Sequence, residues 1–466
     1  MVTVGILATM TLIAFEAMAV ATAMPVVARD LGGLRAYPLA FSLFMTTSLF
    51  GIVLAGSWSD VRGPRGPVLT GLLLFGGGLL ACGFARSFPM LLAGRAVSGA
   101  GGGLLVVALY VVVARVFPTV VQPRVFAYLS AAWVLPSVVG PPLAGWLATS
   151  LTWRAVFLIV PPLVLVLGVL LLARMPGPGS VDPPGSVDRA SQGDAPRTGV
   201  RVLAGLVTAL GAFALQFGLQ AHGLDRPGRQ GAAWLTGWPA GWLIAAAGLA
   251  AVLVAVPRLL PAGTMRLRRG LPSVIAVRSV YSGAFFAAET FVPLMLVEHR
   301  GLSPTLAGVT LTGGALGWAA GSWVQGRPGL RVDHTTLLWA GIAVVAVAVL
   351  ALVPSPLPAL PALYVWPVWV LAGFGMGLGM SSTSVLTLRL SVSGEAGRNS
   401  SGLQVSDCLG AVLVLGAAGA AYARLHDAAT SGAGVYALIW ACLAAFAGLG
   451  VLVARRARPG RDVGSY

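Results

Sequence analysis

Five charged side chains stand inside long apolar runs: Glu16, Arg95, Arg278, Glu289 and Asp407. An ionised group at mid-bilayer costs at least about 2.5–3.5 kcal/mol, so such residues are kept for pairing or for work. The work open to a carboxyl there is proton transfer. Away from water its neutral form is favoured near neutral pH, and an approaching cation or arginine favours release of the proton. Glu16 in IAFEAMAVATAMP and Glu289 in FFAAETFVPLML are the acids best placed for this. The competing reading is an inter-helix pair such as Glu16 with Arg95. Glu289 with Arg278 makes a poorer pair, because eleven residues along one helix is about three turns, too far for a direct bond. Asp407 lies about two turns into its run, where water reaches, so a gate or helix-end role stands beside proton transfer. Arg95 is expected to hold an acid or a carbonyl network rather than touch a substrate.

Composition makes those runs membrane spans. Hydrophobic residues make up 57% of the 466, charged residues 9%, and mean hydropathy is +0.88. No soluble core hides this much apolar surface, whereas lipid does. All thirty basic residues are arginine, and the net charge is +16. In a soluble protein that charge would suit nucleic acid; here it is explained by where the arginines fall, and no nucleic-acid partner is expected. Cys82, Cys408 and Cys442 sit in apolar runs without metal-ligand spacing and are expected to be buried, reduced packing residues. The four histidines form no cluster, so neither metal nor cofactor is expected. No basic region precedes Glu16, so the N-terminal run reads as a retained span and not a cleaved signal peptide.

The elements that must position the charges are windows of roughly 20 apolar residues, the length that crosses about 30 Å of hydrocarbon. They fall at 4–26, 38–58, 67–86, 88–114, 124–149, 153–174, 201–221, 239–261, 272–297, 303–325, 335–354, 360–388, 400–423 and 431–454, fourteen in all. The fold class is an all-α polytopic membrane protein. With both termini cytoplasmic, twenty arginines fall in inside loops and eight in outside loops, as the positive-inside rule requires.

Ala-Gly-Ser-Trp closes an apolar run twice, at 55–58 and at 320–323, each time before a basic turn. This internal repeat makes two related six-helix bundles if the seventh and eighth spans are an inserted pair. The expected organisation is a first bundle over 1–174, a Pro/Gly-rich cytoplasmic linker over 175–200, two inserted helices over 201–265, a second bundle over 266–454 and a basic cytoplasmic tail over 455–466.

Short motifs then carry a family resemblance over essentially the whole chain. Gly56, Asp60, Gly63 and Arg65 form a tight basic turn after the second span, with Pro64 where a basic residue is usual. Leu91, Arg95, Gly99 and Gly101 form a second motif, with Ser98 in place of Gln. Gly140, Pro141 and Gly145 form a third, Gly-Pro-x-x-Gly-Gly with Ala144 replacing one glycine, and Trp153, Arg154 and Phe157 follow it. These residues resemble the signatures of the major facilitator superfamily, most of all its fourteen-span drug:proton antiporters. Glu16 stands nine residues before Pro25, where that family usually carries Asp.

The resemblance implies that the 56–66 turn gates the cytoplasmic side, with Asp60 meeting the helix start near Ser400 and Ser401 in an outward-open state. It implies that Gly140, Pro141 and Gly145 belong to an antiporter motif; read alone they make a kinked, closely packed helix. The expected activity is export of a small, amphipathic or cationic organic compound in exchange for protons by alternating access, as in multidrug efflux and antibiotic resistance. The proton gradient supplies the energy, and the chain is expected in the inner (cytoplasmic) membrane as a monomer. Glu16, Glu289, Arg95 and Asp407 are the proton-coupling candidates. Phe15, Trp133, Tyr281, Phe285, Phe286 and Trp318 could stack on a flat lipophilic cation, although packing explains most membrane aromatics. Proton-coupled uptake of a metabolite is the alternative, and a non-transporting receptor of the same fold a more distant one. Neither a nucleophile with its base nor a metal set is present, so an enzyme is not expected.

Overall fold

The computed structural model describes residues 2–118, 121, 125, 128–129, 131–175, 195–224, 238–327, 332–392, 395–425 and 432–458. Among these residues the structure is helical, without strands. In lipid every backbone N–H and C=O must be satisfied within the segment, and long helices do this. The first set is α1 (Val2–Asp30), α2 (Leu39–Arg62), α3 (Arg65–Gly83), α4 (Phe88–Val116), α5 (Val134–Leu147), α6 (Trp153–Leu158) and α7 (Val160–Arg174). Two helices follow, α8 (Ala195–Leu224) and α9 (Trp238–Leu259). The last set is α10 (Leu271–Leu294), α11 (Pro304–Gln325), α12 (His334–Ala351), α13 (Val365–Arg389), α14 (Ala396–Leu425) and α15 (Ala433–Ala454).

Twelve helices among the described residues are long and apolar enough to cross a membrane, and the chain is a multi-pass membrane protein. The expected count of fourteen is not reached, for two reasons. Val134–Ala173, where two spans were expected, counts as a single apolar stretch of 40 residues, although its helices α5 and α6 are separated by a π-helical turn at Ala148–Thr152 and an extended Thr152. Pro304–Gln325 is 22 residues long, but its glycines and threonines dilute its hydropathy and it is not among the twelve.

Three further expectations change. Cys442 is exposed and Cys408 half-buried, while Cys82 is buried; Cys442 lies on an apolar helix whose outer face meets lipid, so an apolar run does not imply burial in protein. Helix α8 begins at Ala195, inside the stretch expected as linker, and residues 176–194 lie outside the described residues. The tail residues 459–466 also lie outside them.

The two sets repeat the same pairings. Helix α4 packs between α2 and α3, and α13 packs between α11 and α12; α1 meets α5 and α7 as α10 meets α14 and α15. Close approach is what the glycines permit. A Cβ on Gly103 would sit 2.2 Å from the Ser48 carbonyl oxygen, and one on Gly373 would sit 1.9 Å from that of Gly314. Helices α8 and α9 pack on each other, and α8 lies against both α2 and α14.

Candidate functional site

Glu16 projects from α1 and Arg95 from α4, and an Arg95 Nη1–H donates to Glu16 Oε1. Their side chains are 1% and 3% exposed. Arg95 Nε also donates to the Ala40 carbonyl at 3.0 Å, and its guanidinium lies 4.3 Å from the centre of the Phe44 ring. The small residues around Arg95 let α4 approach α2 closely enough for both contacts. Arg95 is further held by Ala40 and Phe44, whereas Glu16 Oε2 is buried without a hydrogen-bond partner, so the ion pair itself carries the acid in this low-dielectric interior.

A second pair joins α10 to α14. Arg278 Nε donates to Asp407 Oδ1 at 2.8 Å, and Arg278 Nη1 donates to Met380 O at 3.0 Å and Thr383 Oγ1 at 2.8 Å. Ser282 Oγ donates to the same Asp407 oxygen. Composition had marked both charges as embedded, but the pairing of Arg278 with Asp407 was missed. The signal available was that both lie near the same end of their helices, Arg278 about two turns and Asp407 about three turns from the start.

Glu289 is the embedded acid outside these pairs. It is half-buried on α10, and it has no hydrogen-bond or ion-pair partner among the described residues. Phe285 and Phe286, one turn below it, form an aromatic cluster with Trp318 and Trp369. Phe285 stacks on Trp369 with centroids 4.8 Å apart and meets Trp318 edge-on at 5.7 Å. Trp369 was not anticipated. Tyr281 is fully buried instead, donating to the Leu338 carbonyl at 2.7 Å between α12 and α13, and belongs to packing. Phe15 and Trp133 are half-buried apart from this cluster; Phe15 packs toward Gly140.

Gly140, Pro141 and Gly145 place α5 against the other set of helices. A Cβ on Gly145 would stand 2.6 Å from Thr305 Cα, and one on Gly308 2.5 Å from the Pro141 carbonyl oxygen. Thr312 Oγ1 donates to Val138 O at 3.0 Å in the same seam. Other contacts between the sets lie toward the same end. Arg29 Nη2 meets Glu298 Oε1 at 2.8 Å, Tyr37 donates to Thr290 O at 2.9 Å, and Pro38 packs on Gly419. Trp153 Nε1 donates to Asp30 Oδ2 at 2.8 Å there, with Arg154 over the Trp153 ring.

At the opposite end, Gly63 ends α2 with φ at +79°, a conformation in which a side chain is strained. Arg115, absent from the sequence motif, donates to the Ser59 carbonyl at 2.7 Å and ties this turn to α4. Arg65 is exposed and Gly56 has open space around it, whereas the side chain of Asp60 lies outside the described residues. Ser401 is exposed at the start of α14.

Residues 6–415 match the family model described as Major Facilitator Superfamily. An uncharacterized MFS-type transporter of Mycobacterium tuberculosis is 28% identical over 435 residues, covering 89% of this chain and 59% of that protein. A probable multidrug-efflux transporter of the same species is 29% identical over 310 residues, covering 64% and 60%. The chain thus spans about 59% of the length of the first of these relatives. Among solved structures, a bacterial homolog of the human lysosomal transporter Spinster, inward-facing and unoccupied, superposes with a TM-score of 0.63 at 13% identity, covering 99% of this chain and 98% of the other.

Proposed function

We propose, from the premise that this chain belongs to the Major Facilitator Superfamily, that it is a secondary transporter exporting a small amphipathic or cationic organic compound in exchange for protons. The observation that carries this reading is Glu289, an embedded acid without an arginine partner among the described residues, one turn from an aromatic cluster. A carboxylate there attracts a cation, and its protonated form does not, so substrate and proton compete for one place. Phe286 and Trp318, both half-buried, supply faces for a flat lipophilic cation, while Phe285 is buried against Trp369 and supports them. Glu16, held by Arg95, and Asp407, held by Arg278, serve as further proton acceptors when rocking loosens their pairs.

The clustered contacts of Arg29, Tyr37, Gly145 and Gly308 support a conformation closed at the outer face and open to the cytoplasm. In this reading the protein lies in the cytoplasmic membrane with both termini inside, and acts as a monomer. The polypeptide crosses fourteen times: 40 residues of unbroken helix would be about 60 Å long, twice the hydrocarbon thickness, whereas Val134–Ala173 is broken at the extended Thr152 and turns back there, and Pro304–Gln325 spans inside the protein, where its glycines pack. Six crossings form each bundle, with α8 and α9 between them. Alkylation of single cysteines placed at residues 150 and 302 from the outside tests this; protection of both contradicts it.

Transport is tested by measuring substrate-induced proton movement in proteoliposomes. A Glu16→Gln, Glu289→Gln double variant that still exchanges protons for substrate sinks the proposal. The resemblance to multidrug-efflux relatives supports export over uptake.

A further inference from the structure

Helices α2, α8 and α14 meet at a junction whose polar atoms are left over. Ser42 and Thr46 on α2 are 0% and 2% exposed, and Gln216 and Gln220 on α8 are 1% and 0% exposed. Ser42 Oγ, Thr46 Oγ1, Gln216 Oε1 and both amide atoms of Gln220 have no partner among the described residues. This is not how neighbouring hydroxyls behave: Thr47 bonds back to Leu43 O at 3.0 Å, and Thr208 to Ala204 O at 2.7 Å. Gln216 Nε2 is the exception, donating to the Val412 carbonyl of α14 at 3.0 Å.

The register brings these atoms to one place. Gly205 stands against Val53, and Gln220 shares the face of Gly419 with Pro38. Between those two fixed points α8 runs antiparallel to α2, which sets Gln216 level with Ser42 and Ala212 level with Thr46. Gly416 lies against Gln216, so the absence of its side chain leaves room for the amide. Below this level the interface turns apolar, with Leu49, Ala204, Val252, Leu409 and Val412 in one cluster.

We propose that the junction of α2, α8 and α14 encloses ordered water, held by Ser42, Thr46, Gln216 and Gln220, which joins the inserted helices to both bundles. Buried polar groups of mixed donor and acceptor character are what such water bridges, typically with about three hydrogen bonds each. The set contains no acid, so a bare cation would find no compensating charge. The contact of Pro38 with Gly419 is part of the seam that must part when the outer face opens. Water re-forms its bonds as α2 and α14 slide, where direct side-chain bonds would have to break.

The test is X-ray hydroxyl-radical footprinting of the full chain in lipid nanodiscs, with bulk scavengers present. Water held in the junction oxidises Met45, which is half-buried one turn away and beside the apolar cluster. Expected is a severalfold fall in Met45 oxidation in the Ser42→Ala, Thr46→Val, Gln216→Leu, Gln220→Leu variant, with the single Gln220→Leu variant intermediate should the fourfold change fail to fold. Equal oxidation in wild type and Gln220→Leu overturns the proposal. A rise in melting temperature specific to sodium over N-methylglucamine also overturns it, since the occupant is then a cation.

Discussion

Glu289 stands eleven residues beyond Arg278 on α10, and Arg278 turns away from it to Asp407. About 16 Å of helix separates the two, so the one arginine of α10 does not neutralise the acid nearest the aromatic cluster. Each set of helices thus contains one embedded acid held by arginine, and Glu289 is left for a ligand that comes and goes.

Removing Arg95 leaves Glu16 buried without its partner. Arg95→Met should lower stability by about 3–5 kcal/mol, and pairing it with Glu16→Leu should recover most of the loss, because an apolar pair of similar volume replaces an ion pair without great cost. Thermal unfolding in detergent, followed by tryptophan fluorescence, reads both.

The second pair is more open, with Arg278 and Asp407 side chains 10% and 22% exposed. Asp407→Asn keeps Oδ1 as an acceptor for Arg278 and Ser282 but removes the charge. It should cost less stability than Arg278→Met, because the hydrogen bonds to Arg278 and Ser282 remain, and should slow exchange. Melting temperature and substrate-driven proton flux, measured on the same preparations, separate the two effects.

Arg29 is 60% exposed, so its bond to Glu298 is worth about 1 kcal/mol or less. Glu298→Gln should leave the melting temperature unchanged and yet raise severalfold the alkylation rate of a cysteine at Thr312, in a background lacking native cysteines. That site is covered while α11 lies on α5.

Gly145 and Gly308 allow α5 and α11 to touch backbone to backbone. Gly145→Val places a Cβ 2.6 Å from Thr305 Cα and should hold the two helices apart, abolishing transport without loss of expression. Transport assays with expression controls check this.

Much of the architecture was legible because burying apolar surface in lipid leaves few choices: the helical windows, the repeat around the two Ala-Gly-Ser-Trp segments and the five embedded charges all follow from residue type. Span number was less so, since a helix such as Pro304–Gln325 trades hydropathy for close packing. Within the site, Glu16 with Arg95 was foreseen as one of two readings. Arg278 with Asp407 was not, because a pair between helices 129 residues apart leaves no local pattern. Tyr281 shows the same limit: one turn from Phe285 in sequence, it points into the glycine-lined gap between α12 and α13.

The most direct measurement is lumenal pH in proteoliposomes of the purified protein under an imposed proton gradient, while lipophilic cations and neutral drugs are added in turn. The account predicts that a compound which dissipates the gradient through the wild type fails to do so through Glu289→Gln, with binding of that compound retained or altered but proton movement lost. Undiminished proton movement through a folded Glu289→Gln protein would contradict it.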